Sequence, residues 1–278
     1  MTALAHEAGD EELPAWSLPL AASDSIRMRA GWPERVTPEW AWGGSTGRGV
    51  TVCVLDSGIE TGHPLVGDVQ RSVAARKQPD GTVLIEDDAE GDLCGHGTAC
   101  GGIIRALAPA CDLISVRVLG AGYTGSAAAM LAGLEWAIAE GFDVVNMSLS
   151  TTKKQYVDRL HELADVAYFK RTMLVASAHN MPVESFPWRF ASVISVGSHE
   201  EADAHLFYAN PTPPVEFFAR GLNLDIAWLG GETINATGNS FATPHIAGIC
   251  ALVLAKHPEL TPFQLKSVLH LTAANVRE

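Results

Sequence analysis

From Gly49 onward the chain alternates short, near-continuous apolar runs with longer stretches of helical periodicity. The apolar runs cover residues 50–55, 113–119, 144–149, 173–176 and 193–196. A strand that lacks a polar face is covered on both sides, and in a parallel sheet helices supply that cover. Residues 126–140 carry apolar side chains at helical spacing with Gly141 as a stop, and residues 156–170 are amphipathic. Residues 241–256 are apolar nearly all round, which predicts a buried helix. A last helix opens with Thr261 as N-cap and Pro262 at the first helical position, and runs to about Thr272. The pattern predicts an α/β fold over residues 49–278: a single doubly wound, mostly parallel sheet with helices on both faces. Residues 1–48 are rich in Pro, Trp and acidic side chains without periodicity and read as an N-terminal arm, with Trp40 and Trp42 anchoring it to the domain.

Charge and composition narrow the function. Apolar residues make up 47% and charged ones 18% of the chain, which sets aside a disordered polymer. A formal charge of −13 argues against nucleic-acid binding through a broad basic surface. No run approaches the roughly 20 uninterrupted apolar residues of a membrane span. Glu7, Asp10, Glu11 and Glu12 stand where a secretion signal needs an apolar core. The five cysteines (53, 94, 100, 111 and 250) are an odd number, and Cys53 and Cys250 sit inside apolar runs as buried free thiols. A reducing, cytoplasmic setting is the expectation.

Ligands and catalytic groups in such sheets lie at the carboxyl ends of strands. VTVCVLDSG puts Asp56 just past a strand, and CGHGTACGG puts His96 among small residues able to open a helix. MLVASAHN puts Asn180 just past a later strand, and GNSFATPHIAG puts Ser240 at the start of the buried helix. An acid, a base and a hydroxyl so placed are the parts of a nucleophilic triad. Ser needs a base to remove its proton at neutral pH, and an imidazole titrating near 6.5 suits that task. A helix N-terminus adds N–H donors and positive dipole where an oxyanion forms, and the Asn180 amide can join them.

Asp-Ser-Gly after an apolar strand, His-Gly-Thr and Gly-x-Ser-x-Ala-Thr-Pro-His, in the order Asp, His, Ser, resemble the subtilisin-like serine proteases. VRVLG, GLEWAI and NMSL fall in the same order, so the resemblance runs from about Gly49 to the C-terminus. It implies an endopeptidase with Asp56, His96 and Ser240 as triad and Asn180 as oxyanion donor. It also implies that a protein or precursor-peptide substrate lies extended between Tyr123, Thr124 and Gly125 on one side and Ser148, Leu149 and Ser150 on the other. No cofactor is implied, and the oligomeric state is left open.

The chain departs from the family in four places. The segment IIRALAPACDLI is short and lacks the Asn- and Gly-bearing loop that holds calcium in many relatives, so no metal is expected there. His179 and Ser150 stand where relatives usually have Gly, which narrows the primary pocket and makes it more polar; a small or polar residue before the scissile bond is the expectation. The arm is too short and irregular for a full inhibitory prodomain, and little follows the last helix. Together these imply an intracellular processing protease of narrow specificity. The alternative is a non-catalytic scaffold of the same fold that binds peptide by strand addition.

Other motifs carry blander readings. Gly120-Ala-Gly122-Tyr-Thr-Gly125 fits a dinucleotide fingerprint, but no acid ends the next strand to hold a ribose. HELAD from His161 lacks the second His of a zinc site. His63 reads as structural, Cys100 as packing beneath the triad, and the sequon at Asn235 carries no weight in a cytoplasm. Cys94 has no assigned role.

Overall fold

A computed structural model describes Ala15, Ser17 and residues 32–276. Most of the expected arm lies outside the described residues. Val36–Glu278 forms one compact unit, separate from Met1–Arg35.

In that unit, helix α1 (Pro38–Trp42) precedes β1 (Thr51–Asp56), β2 (Arg71–Lys77) and β3 (Val83–Asp87). Helix α2 (His96–Leu107) leads to β4 (Asp112–Arg117), the short pair β5 (Leu119–Gly120) and β6 (Thr124–Gly125), and α3 (Ala127–Glu140). Then come β7 (Val144–Met147), α4 (Val157–Lys170), β8 (Met173–Ser177), β9 (Ile194–His199), β10 (Phe207–Ala209) and β11 (Phe217–Arg220). The hairpin β12 (Leu224–Trp228) and β13 (Glu232–Ala236) precedes α5 (Asn239–Lys256) and α6 (Pro262–Thr272).

Nine strands form one sheet in the order β10-β11-β9-β8-β7-β1-β4-β2-β3. Every pairing is parallel except the outermost two, β10–β11 and β2–β3. Both faces are covered, and side chains alternate between them. Val52 and Val54 of β1 enter one apolar cluster, with α2 and α5, while Cys53 and Leu55 enter the other, with α3 and α4. The same split divides Met173 and Val175 from Leu174 and Ala176 in β8. This is why these strands read as continuous apolar runs. Helix α5 lies in the first cluster and is buried from Ser240 to Leu254, as its all-round apolar sequence predicts.

β1 is the point from which the sheet grows both ways, with β4 on one flank and β7 on the other. A crevice forms at the carboxyl ends where the winding reverses. The 113–119 run does not remain one strand: β4 ends at Arg117, and Leu119–Gly120 turns into the β5–β6 hairpin. The 144–149 run likewise leaves the sheet after Met147. Both breaks fall at the rim of the crevice.

Around α1, the Trp40 ring stacks on His257 at 4.2 Å, and Lys256 Nζ donates to the carbonyls of Glu39 and Gly43. Trp42 also packs on the core, so both tryptophans hold their segment to the domain.

One ion pair steadies the far edge. Lys266 Nζ donates to the carbonyls of Ala191 and Val193 and to Glu216 Oε1, at 2.7, 3.0 and 2.7 Å. Burial raises the Glu216 carboxyl above its usual range, and the Lys266 charge offsets part of that shift. Lys266→Met leaves the carboxylate and both carbonyls without their donor, a loss of about 1–3 kcal/mol. A neutral carboxyl needs no counter-charge, so the expected loss of thermal stability grows as pH rises through the Glu216 pKa and shrinks in acid. Melting curves of wild type and variant across pH 4–8 check this; an equal loss at every pH contradicts it.

Candidate active site

Asp56 closes β1 and is fully buried at the mouth of the crevice. Its Oδ1 accepts from the Ser57 N–H at 2.8 Å, and both carboxylate oxygens lie 2.9 Å from His96 Nδ1. That contact fixes the imidazole with Nδ1 as donor and Nε2 turned to the cleft. His96 is the first residue of α2. A Cβ on the next residue, Gly97, would sit 1.9 Å from the Gly58 carbonyl oxygen, so the helix approaches the β1 turn this closely only with glycine there.

Asp92 organises the start of α2. Its Oδ1 accepts from the N–H groups of Cys94 and Gly95 and from Ser57 Oγ, and its Oδ2 accepts from the Thr98 N–H and hydroxyl. The carboxylate thus supplies the cap that Gly95, left-handed at φ 90°, has no side chain to give. Burial alone would lower the His96 pKa. The charge of Asp56, its hydrogen bond and the charge of Asp92 outweigh that, and hold it above 6.5.

Ser240 lies in the first turn of α5, where helix N–H groups have no intrahelical acceptor. Its carbonyl accepts from Ser148 Oγ at 2.7 Å, and Asn146 Nδ2 donates to that same Ser148 oxygen at 3.1 Å. Ser148 therefore holds the start of α5, where Ser240 stands, from beneath. Gly238 is extended, and a Cβ on it would lie 3.2 Å from Ser240 Oγ and 3.6 Å from Asn180 Nδ2. The hydroxyl and the amide therefore border one small space, which only a residue without a side chain leaves open.

Asn180 follows β8, and its Oδ1 accepts from the Asn239 N–H at 3.0 Å, which turns Nδ2 toward that space. Asn239 also donates from Nδ2 to the carbonyls of Ala178 and His179 and accepts from Ser198 Oγ, stapling the 178–180 segment to α5. Neither Asp92 nor Asn239 stands out in the sequence as a site residue. An acid shortly before a helix start is a cap signal and makes Asp92 readable; nothing in sequence marks Asn239.

His96, Tyr123, Ser148, Leu149, Ser150, His179, Asn180 and Ser240 line one cleft of about 460 Å³. Thr124 and Gly125 follow in β6, exposed, and are not among its lining residues. Among the described residues no hydrogen bond yet joins the Ser240 hydroxyl to His96, although both line the same cleft. Ser150 Oγ donates to Ser185 Oγ, which also accepts from Trp188 Nε1. His179 Nδ1 accepts from the Met181 N–H at 2.9 Å, so its ring is held in place at the cleft wall.

Cys100 is buried under the site, with Sγ 3.9 Å from Asp56 Oδ2 and 3.7 Å from the Ser240 carbonyl. Burial, with the charge of Asp56, raises its pKa well above the ordinary value and keeps it a thiol. Cys94 Sγ donates to the Gly120 carbonyl at 3.0 Å. His63, also buried, accepts from the Leu65 N–H and lies 3.0 Å from the Glu232 carbonyl, a structural role. The glycines of 120–125 build the β5–β6 hairpin, and α3 starts beyond them with Ser126 as its cap, so no phosphate-cradling loop opens that helix.

A doubly wound sheet with an Asp–His pair at its switch point, and a Ser and an Asn amide facing the same cleft, defines an α/β protein with a nucleophile-type site. The comparisons give that class its family. Residues 47–278 match the sequence profile of the subtilase family, peptidase S8. Subtilisin Savinase of Lederbergia lenta is 32% identical over 244 residues, covering 84% of this chain and 86% of that protein. The thermostable alkaline protease of Halalkalibacterium halodurans is 31% identical over 241 residues, which is 83% of this chain and 63% of that protein. The crystal structure of a cold-adapted subtilisin-like serine proteinase superposes with a TM-score of 0.66 at 28% identity, covering 82% of this chain and 83% of the other. The chain belongs to the subtilase family. It spans a little under two thirds of the length of that Halalkalibacterium protease and of the M-protease of Shouchella clausii, which is 32% identical over 244 residues.

Proposed function

We propose that the protein is a serine endopeptidase that cleaves peptide bonds through an acyl-enzyme. The observation that carries this reading is the 2.9 Å contact of His96 Nδ1 with both Asp56 oxygens in the cleft that Ser240 and Asn180 also line. His96 Nε2 takes the hydroxyl proton as Ser240 Oγ bonds to the substrate carbonyl carbon. Asn180 Nδ2 and the Ser240 N–H receive the negative oxygen. The imidazolium, stabilised by Asp56, gives its proton to the departing amine as the carbon–nitrogen bond breaks. Water then enters by the same path in reverse and frees the acid and the serine. Long or missing Ser–His hydrogen bonds are common in unliganded sites and tighten on substrate.

The two-stranded β5–β6 unit and the 148–150 segment flank the cleft, which supports an extended peptide pairing with backbone on either side. His179 and Ser150, both lining it, favour a small or polar residue before the scissile bond. We further read the enzyme as a cytoplasmic processing protease of narrow specificity. Five free cysteines, with Cys53, Cys100 and Cys250 fully buried, support that setting.

The unjoined Ser240 hydroxyl favours one other reading, a peptide-binding scaffold of the same fold. A fluorophosphonate probe separates the two: labelling of the folded protein, lost in Ser240→Ala, is the expected result, and a folded but unlabelled wild type favours the scaffold. Best cleavage of a peptide library after Phe or Tyr would contradict the small or polar preference.

A further inference from the structure

Tyr123 holds a backbone conformation that costs a side chain energy, and it does so against the imidazole. Its φ is 59°, beside Gly122 at 68°, in the left-handed region where glycine is the usual occupant. Strain of this kind persists where the surroundings enforce it, and it marks sites of function. The surroundings here are specific. Leu119 pairs with Gly125 and Gly120 with Thr124, the Thr124 hydroxyl donates to the Ala121 carbonyl at 2.8 Å, and Cys94 Sγ ties Gly120 to the loop before His96. The turn is thereby fixed, and it delivers an aromatic ring that remains 53% exposed. That ring stands edge-on to His96, with centroids 5.9 Å apart and planes at 86°. Phe241, buried, flanks the imidazole as well, at 5.3 Å.

A substrate in this cleft meets the ring at one position. Side chains of an extended strand point alternately to opposite sides. If the residue before the scissile bond sends its side chain toward Ser150 and His179, the residue preceding it points the other way, into the wedge between His96, Leu119 and Tyr123. All three of these line the cleft. The Tyr123 ring, edge-on to the imidazole, is the bulkiest side chain on the outer side of that wedge.

We propose that Tyr123 is a specificity-determining wall that restricts the second residue before the scissile bond to Gly or Ala. The proposal rests on the endopeptidase reading and deepens it: the substrate is a polypeptide with two consecutive small residues, the second of them small or polar, on the N-terminal side of the cut. Chains with a bulky aliphatic or aromatic residue at that second position are refused, because the fixed hairpin backbone keeps the Tyr123 side chain beside the imidazole.

The test is a set of fluorogenic peptides that differ only at this position (Gly, Ala, Val, Leu, Phe), assayed with wild type, Tyr123→Gly and Tyr123→Phe. Wild type is expected to prefer Gly or Ala over Leu by about 10–200-fold in kcat/KM, the range that pocket fit supplies. Tyr123→Phe keeps that ratio. Tyr123→Gly, which suits the left-handed backbone, collapses it to within a few-fold by improving Leu and Val, chiefly in KM. Tyr123→Asn, which also tolerates that backbone, gives the same result if the glycine variant loosens the hairpin. An unchanged ratio in both the Gly and Asn variants overturns the proposal, and so does a uniform fall on every peptide, which a merely structural ring would produce. In either case continued fluorophosphonate labelling of Ser240 leaves the protease reading standing. Absence of both labelling and cleavage in the folded wild type removes that reading and the proposal with it.

Discussion

Ser240→Ala is expected to lower kcat by about 10⁶, the size measured when the corresponding serine is removed from subtilisin itself. The effect is confined to catalysis, because the hydroxyl is not what holds the helix in place. Ser148 binds the Ser240 backbone carbonyl, and Asn239 staples α5 to the 178–180 segment through its own side chain and N–H. Melting temperature and peptide affinity therefore stay near wild type while turnover disappears. Steady-state kinetics beside a thermal melt and an equilibrium peptide-binding assay check the three quantities together. A variant that retains more than about 1% of wild-type turnover contradicts Ser240 as the nucleophile, since other nucleophiles in the cleft would have to supply it.

Asp56→Asn is expected to cost about 10⁴ in kcat, the size measured on serine proteases with this arrangement, a trypsin among them. An amide keeps the shape of the carboxylate but presents an N–H as readily as an oxygen to His96 Nδ1, so the tautomer with a free Nε2 lone pair is no longer enforced. It also removes the charge that supports imidazolium. Burial lowers the His96 pKa, and Asp56 is the main group that reverses this. Without it only Asp92 remains on that side of the balance, so the acid limb of the kcat/KM profile moves to lower pH even as the rate falls. At the fully buried Asp56 site the amide oxygen still accepts from the Ser57 N–H and the amide N–H still finds His96 Nδ1, so the neutral group stays paired and the loss reads as chemistry rather than unfolding. A pH–rate profile whose acid limb stays at the wild-type position contradicts the Asp56–His96 coupling.

The parts of this molecule that were legible in sequence are those buried on both sides. The runs at 50–55, 144–149 and 173–176 became β1, β7 and β8 within one or two residues at their starts, because apolar runs this short suit a strand covered on both faces, whereas the buried helix α5 needs a longer one. Thr261, Pro262 and the capping-box partner Gln264 set the start of α6 as read. The edge and hairpin strands escaped. Arg71–Lys77 and Glu232–Ala236 carry charged or polar side chains at exposed positions, so their pairing partners, rather than an apolar run, make them strands. The breaks after Arg117 and Met147 escaped for a related reason. Apolar residues continue past both, and only the tertiary need to form a cleft rim bends the chain there.

The site divides along the same line. The placement of Asp56, His96, Asn180 and Ser240 is legible because strand ends and helix starts collect polar groups, and the motifs around them are specific. The residues that aim those four were less so. Asp92 acts through five hydrogen bonds spread over Ser57, Cys94, Gly95 and Thr98, and Asn239 through contacts to segments some 40 to 60 residues distant. Such support is a property of the folded neighbourhood and leaves little trace in local pattern.

The central claim, that Asp56 and His96 make Ser240 a nucleophile, is tested most directly by the rate at which a fluorophosphonate modifies Ser240 as a function of pH. The rate is expected to rise with a single ionisation whose midpoint lies above the ordinary imidazole value, set by the raised His96 pKa, and to fall by several orders of magnitude in His96→Ala. A rate independent of pH and unchanged in His96→Ala would mean that the hydroxyl reacts unaided, without Asp56 and His96.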